Sequence, residues 1–172
     1  MAVDATPRQG GGNGTETRAG GGSPRASPAS FTVGLIIDAS VFIEAERGRF
    51  DLEGLLEGAG DELVAVAAVT ASELLHGVER ASDQDIRLRR HQFVERVLSD
   101  FPIIPFGLDE AREHARIWGH LAAKGTLIGP HDLLIAATAI ANAGVVATLN
   151  VKEFARVPGL SVMPVAPYVR SR

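Results

Sequence analysis

The stretch "GLIIDASVFIEAERG", Gly34–Gly48, decides the fold. Leu35, Ile36 and Ile37 form an unbroken apolar run, whereas a strand with one wet face would alternate apolar and polar residues; this strand is therefore expected to be covered on both faces. Asp38 follows at once, and "ASVFIEAE" then reads as a helix. A carboxylate thus stands at the carboxyl end of a buried strand, and its meaning depends on whether other acids reach the same place.

Working outward from Phe31, apolar strands alternate with amphipathic helices. Strands are predicted at 32–38, 62–69, 101–106, 145–149 and 161–165. Helices are predicted at 40–47, 50–58, 70–80, 84–99, 109–124 and 130–143, with a short turn at 151–155. Serial βα units imply an α/β fold, a three-layer α/β/α sandwich around a mainly parallel sheet joined by right-handed crossovers. Residues 1–30 are rich in Gly, Pro, Ser and Thr, with Met1 and Val3 their only large aliphatics. Burial there cannot offset the entropy of ordering, so a disordered tail is expected ahead of one domain at 31–172.

Composition narrows the function. The chain has 172 residues, 45% of them hydrophobic, enough for the core of one ordinary domain. It contains no cysteine, which removes disulfides, thiolate zinc sites and thiol nucleophiles. No apolar run approaches the ~20 residues that span a bilayer, and a cytoplasmic protein is expected. The formal charge of −4 argues against coating nucleic acid by bulk electrostatics. It does not argue against a nuclease, because carboxylates holding a divalent cation count as negative in the tally while the loaded site faces phosphate with positive charge.

Several carboxylates share one topological position. Asp38 ends the first strand, Glu73 falls in the first predicted turn after the second, Asp132 opens the helix "HDLLIAATAIANAG", and Asn150 and Glu153 follow the strand "VVATL". Carboxyl ends of parallel strands lie along one sheet edge, where ligands bind at a switch point, so these groups are expected to converge. Each has a structural reading when taken alone. Thr70 and Glu73 match a capping box, Asp132 after Pro130 suits a helix N-terminus, Ser40 suits a helix cap, Asn150 suits a turn, and Glu153 suits a solvated surface. Together, three acids in one place repel unless a positive group lies among them. These motifs offer only Lys152, so a hard divalent cation is the economical solution, and with it phosphoryl chemistry at an ion-activated water.

The segments "LIIDASVFIEAERG", "VTASELLHGVERA", "IGPHDLLIAATAIANAGVVATLNVKEF" and "GLSVMPV" resemble the PIN-domain ribonucleases, in particular the VapC-type toxins of bacterial toxin–antitoxin modules. The resemblance spans Val33 to Val165. It implies a metal site of Asp38, Glu73 and Asp132, with Mg²⁺ or Mn²⁺ as cofactor. It further implies cleavage of structured RNA such as tRNA, a homodimer, and inhibition by a VapB-like antitoxin. A fourth family acid often stands where this chain has Asn150, so the number of metal ions stays open; Glu153 is the nearest residue to supply the charge. Ser40, Asn150 and Glu153 are therefore expected as supporting groups. The alternative is a catalytically weak binding module that keeps the fold and engages RNA or antitoxin.

The run "DIRLRRHQFVERV" is the densest basic segment in this acidic chain. It reads first as a solvated helix face; Arg87, Arg89, Arg90 and Arg96 are also the candidate contacts to RNA or antitoxin. The five histidines lack the H-E-x-x-H spacing of a zinc site. Among them, His131 stands out by its place beside Asp132. Trp118 is expected in the core or at an interface.

Overall fold

Side chains alternate across β1 (Leu35–Ile37), and that alternation sets the layers: Leu35 and Ile37 join one buried cluster, Ile36 the other. The computed structural model describes residues 33–170, and the expected tail at 1–30 lies outside them. After β1 come α1 (Ala39–Glu46), α2 (Leu52–Ala59), β2 (Val64–Ala67), α3 (Ala68–Glu79), α4 (Gln84–Asp100) and β3 (Ile103–Ile104). The chain continues through α5 (Leu108–Ala123), α6 (Pro130–Ala141), β4 (Val145–Thr148), α7 (Val151–Phe154), β5 (Ser161–Pro164) and a closing 3-10 turn at Ala166–Tyr168.

The five strands lie in the order β3-β2-β1-β4-β5, and every pairing is parallel. One face packs against α1 to α4 through Val41, Phe42, Leu55, Leu74, Val78, Val94 and Val97. The other packs against α5 to α7 through Ile117, Leu121, Leu133, Ile135 and Phe154. Each such side chain, fully buried, contributes roughly 1.5–3 kcal/mol. The three-layer sandwich read from the sequence is thus the observed architecture. The chain steps from β1 outward to β2 and β3 with helices on one face, then returns to β4 and β5 with helices on the other. The reversal falls between β1 and β4, which makes their carboxyl ends the switch point.

Three local expectations are corrected, and a fourth, for Trp118, is narrowed. Helix α3 begins at Ala68, two residues before Thr70, and its N-cap is Ala67 with no side-chain cap; Thr70 therefore forms no capping box, and Glu73 stands in the second turn. The N-cap of α1 is Asp38 rather than Ser40. Strand β3 has only two residues, because Pro102 and Pro105 flank it and neither can donate to a ladder. Trp118 is 52% exposed on α5 and is no part of the core.

Candidate active site at the carboxyl edge of the sheet

Parallel pairing places Ile37 opposite Ala147, so the next residues along, Asp38 and Thr148, stand side by side at the switch point. Asp38 is 4% exposed, and a carboxylate so placed needs donors. Ser40 Oγ donates to its Oδ2 at 2.5 Å, Thr148 Oγ1 at 2.8 Å, and the Ser40 main-chain N–H at 3.4 Å. Both hydroxyls are themselves oriented: Leu149 N–H donates to Ser40 Oγ at 3.2 Å, and Asn150 N–H to Thr148 Oγ1 at 2.9 Å. Two relays thus run from the β4–α7 turn into a single oxygen of Asp38. Oδ1 receives none of these bonds.

Asp132 enters from α6, the near-continuously buried helix whose Leu133, Ile135, Ala136, Ala137, Thr138 and Ala139 all face the interior. Asn150 Nδ2 donates to Asp132 Oδ2 at 3.1 Å. Gly129 leaves room for that carboxylate, since a Cβ at position 129 would stand 3.3 Å from the same Oδ2. Burial, followed by the charges of Asp38, Glu73 and Glu153, raises the Asp132 carboxyl from its ordinary value of 3.8 to about 6, with His131 acting in the opposite direction. Four acids therefore share one electrostatic neighbourhood, Glu153 among them.

Glu73 comes from α3 and meets α6 at His131, whose Nδ1 lies 2.7 Å from Glu73 Oε1. Glu153, in α7, pairs with Arg156 at 3.1 Å. Thr70 Oγ1 is the buried side-chain polar atom without a partner among the described residues; it lies one helical turn before Glu73, on the same side of α3. As the side chains stand, no three His, Asp or Glu among the described residues are gathered closely enough to close on one ion. Each acid instead turns to its own hydrogen-bond donor. The chemistry of the set still suits a hard cation: all prospective ligands are oxygens, and among the described residues no lysine or arginine bonds to Asp38, Glu73 or Asp132. Ionisation of Asp132 is opposed by its neighbours, a penalty that a cation relieves.

Sequence reasoning missed Thr148 and the partner of Glu73. Thr148 follows from the β1–β4 register once the strand order is known. Among the four arginines of α4, Arg87 is paired with Glu79, and Arg90 with Glu46 and the Gly77 carbonyl. Arg89 and Arg96 lie with Arg47, Ile86 and Phe93 along a shallow depression between α1 and α4.

A PIN-domain family model matches residues 35–160, a span that includes every acid described above. Ribonuclease VapC1 of Rickettsia felis is 40% identical over 134 residues, covering 78% of this chain and 98% of that protein. The tRNA(fMet)-specific endonuclease VapC of Salmonella typhimurium is 31% identical over 99 residues, 58% of this chain and 73% of that one. The crystal structure of VapBC2 from Rickettsia felis bound to a DNA fragment from their promoter matches with a TM-score of 0.69 at 27% identity, covering 75% of this chain and 96% of that chain. With the acids at the switch point and this likeness over most of its length, the chain belongs to the PIN-domain family and, within it, to the VapC ribonucleases.

Proposed function

We propose that this VapC-family endoribonuclease toxin works with a divalent cation, Mg²⁺ or Mn²⁺, held by Asp38, Glu73 and Asp132 and supported by Ser40, Asn150 and Glu153. The observation that carries the reading is the meeting of the acids at the switch point, where Thr148 and Asn150, two residues apart, hydrogen-bond Asp38 and Asp132, and Glu73 reaches the same helix as Asp132 through His131; the raised Asp132 carboxyl, at about 6, is in keeping with it. Such a site accumulates negative charge, and among the described residues no lysine or arginine bonds to Asp38, Glu73 or Asp132. When bound, the ion would polarise a phosphodiester oxygen and acidify the attacking water.

The chain's own residues supply placement. Asp38 is fixed by Ser40 and Thr148 through Oδ2, which leaves Oδ1 for a ligand. Asn150 uses its amide N–H on Asp132, so it orients an acid rather than adding a charge. That role favours one ion at Asp38, Glu73 and Asp132. Glu153 is the group that would draw a second.

Structured RNA, tRNA first, is the substrate class to try, because a relative is named as a tRNA(fMet)-specific endonuclease. A VapB-like antitoxin is the partner, in keeping with the VapBC assembly that this fold matches. Arg89 and Arg96, which among the described residues form no ion pairs such as those that hold Arg87 and Arg90, are the arginines we assign to contact with RNA or antitoxin. A homodimer would cover Leu108 and Trp118, exposed at 67% and 52% on α5. Among the described residues no helix is long and apolar enough to cross a membrane.

The test is incubation of the purified chain with total RNA and Mg²⁺, beside Asp38→Asn and beside excess EDTA. Cleavage by the wild type alone, abolished by EDTA, is expected. Equal cleavage in all three would overturn the metal mechanism, and no cleavage by the wild type with antitoxin binding intact would favour the binding-module alternative.

A further inference from the structure

We propose that His131 is a positioning residue for Glu73, holding the long arm of the acid cluster through Nδ1 at Oε1 and leaving Oε2 for an ion shared with Asp38 and Asp132. The inference rests on the reading of those three acids as an ion site. It concerns a residue that the sequence singled out only by its place beside Asp132.

The three acids differ in how firmly they are held. Asp38 and Asp132 have short side chains, and each is anchored by groups of the β4–α7 segment, namely Thr148 and Asn150. Glu73 has one more rotatable bond, projects from the second turn of α3, and has His131 as its side-chain partner among the described residues. A flexible glutamate loses rotamer entropy when it is fixed on an ion, and a partner that fixes it beforehand removes part of that cost. His131 is well placed for this, since it immediately precedes Asp132 on α6. Its bond to Glu73 therefore joins the helix bearing one acid to the helix bearing another.

The geometry also says which edge of the ring matters. The carboxylate only accepts, so Nδ1 must carry the proton in this contact. The bond occupies Oε1 and leaves Oε2 available. The His131 and Glu73 side chains are 55% and 28% exposed, and pairs of that kind add little to folding stability. Removing the imidazole is accordingly expected to leave the fold alone and to alter ion binding. Partners that orient metal ligands typically change affinity by about 10–100-fold when lost.

Titration of the full-length metal-free chain with MnCl₂ by calorimetry, with the thermal midpoint of each metal-free variant alongside, tests this. The amide nitrogen of Asn overlays imidazole Nδ1, and that of Gln overlays Nε2. His131→Ala is expected to weaken Mn²⁺ binding by about tenfold with an unchanged thermal midpoint, His131→Asn to restore most of the affinity, and His131→Gln to restore little. Unchanged affinity in His131→Ala would overturn the role. Restoration by Gln and not by Asn would also overturn it, placing the function on the outer edge of the ring. A wild type that takes up no Mn²⁺, or takes it up equally after Asp38→Asn, would remove the ion site itself and this inference with it; loss in Asp38→Asn with unchanged affinity in His131→Ala leaves that site standing and overturns this inference alone.

Discussion

The two sides of the acid cluster are built differently. On the sheet side, Asp38 is almost wholly buried and receives two hydroxyl donors that are themselves locked by main-chain N–H groups. On the helix side, Glu73 is partly exposed and meets one histidine. The sheet side follows from strand register, and any displacement there must move β1 against β4. The helix side follows from how α3 packs on α6, and side-chain rotation alone can change it. One acid is thus held by strand register and the other by a single side-chain contact.

The largest effect should come from removing the fixed side. Asp38→Asn is expected to lower kcat for RNA cleavage on the order of 10²–10³-fold, the usual cost of losing one preorganised electrostatic group; a loss below tenfold, or one no larger than that in Glu73→Gln, would mean that the more firmly held acid is not the more critical one. Next comes its support. Thr148→Val removes a buried hydrogen bond to a charged acceptor and should cost about 1.5–3 kcal/mol in urea unfolding, together with weaker Mn²⁺ binding. If Thr148→Val cost no more stability than His131→Ala, the contrast between the two sides would fail.

Protonation offers a third test. The Asp132 carboxyl is raised in the folded chain from 3.8 to about 6. The folded state therefore favours the protonated acid, and this contribution is fully present below the unfolded value and is lost as pH rises through about 6. In EDTA, Asp132→Asn should be more stable than the wild type at pH 7.5, and the difference should vanish near pH 4. Mn²⁺ affinity of the wild type should fall as pH drops through about 6, because the ion requires the ionised acid. A smaller effect is expected from Gly129→Ala, whose Cβ would press on Asp132 Oδ2 from 3.3 Å. A few-fold loss of Mn²⁺ affinity with little change in stability is the expected result, read by calorimetry and thermal unfolding.

Much of this was legible in the sequence, for reasons that differ by element. The unbroken run Leu35–Ile37 announced a strand covered on both faces, and the all-round apolar face after Asp132 announced the buried α6. The start of α3 was not legible: "VAVAAV" carries no period that separates strand from helix, so Ala68 and Val69 read as strand until the structure placed them in a helix. Asp38, Glu73 and Glu153 could be named because each comes after a strand, and strand tips of a parallel sheet share an edge, whereas Asp132 could be named because it opens the buried helix α6. Their donors could not. Thr148 reaches Asp38 across 110 positions and His131 reaches Glu73 across 58, contacts that require the strand order and the packing of α3 on α6. The arginines of α4 show the same limit, since spacing gave four equivalent candidates and tertiary pairing left Arg89 and Arg96.

The most direct measurement is anomalous scattering at the manganese edge from crystals of the full chain grown or soaked with MnCl₂. A peak in direct contact with Asp38 Oδ1 and with carboxylate oxygens of Glu73 and Asp132 is the predicted result. Crystals that hold Mn²⁺ elsewhere, or a loaded site in which Glu73 or Asp132 stays turned away, would contradict it.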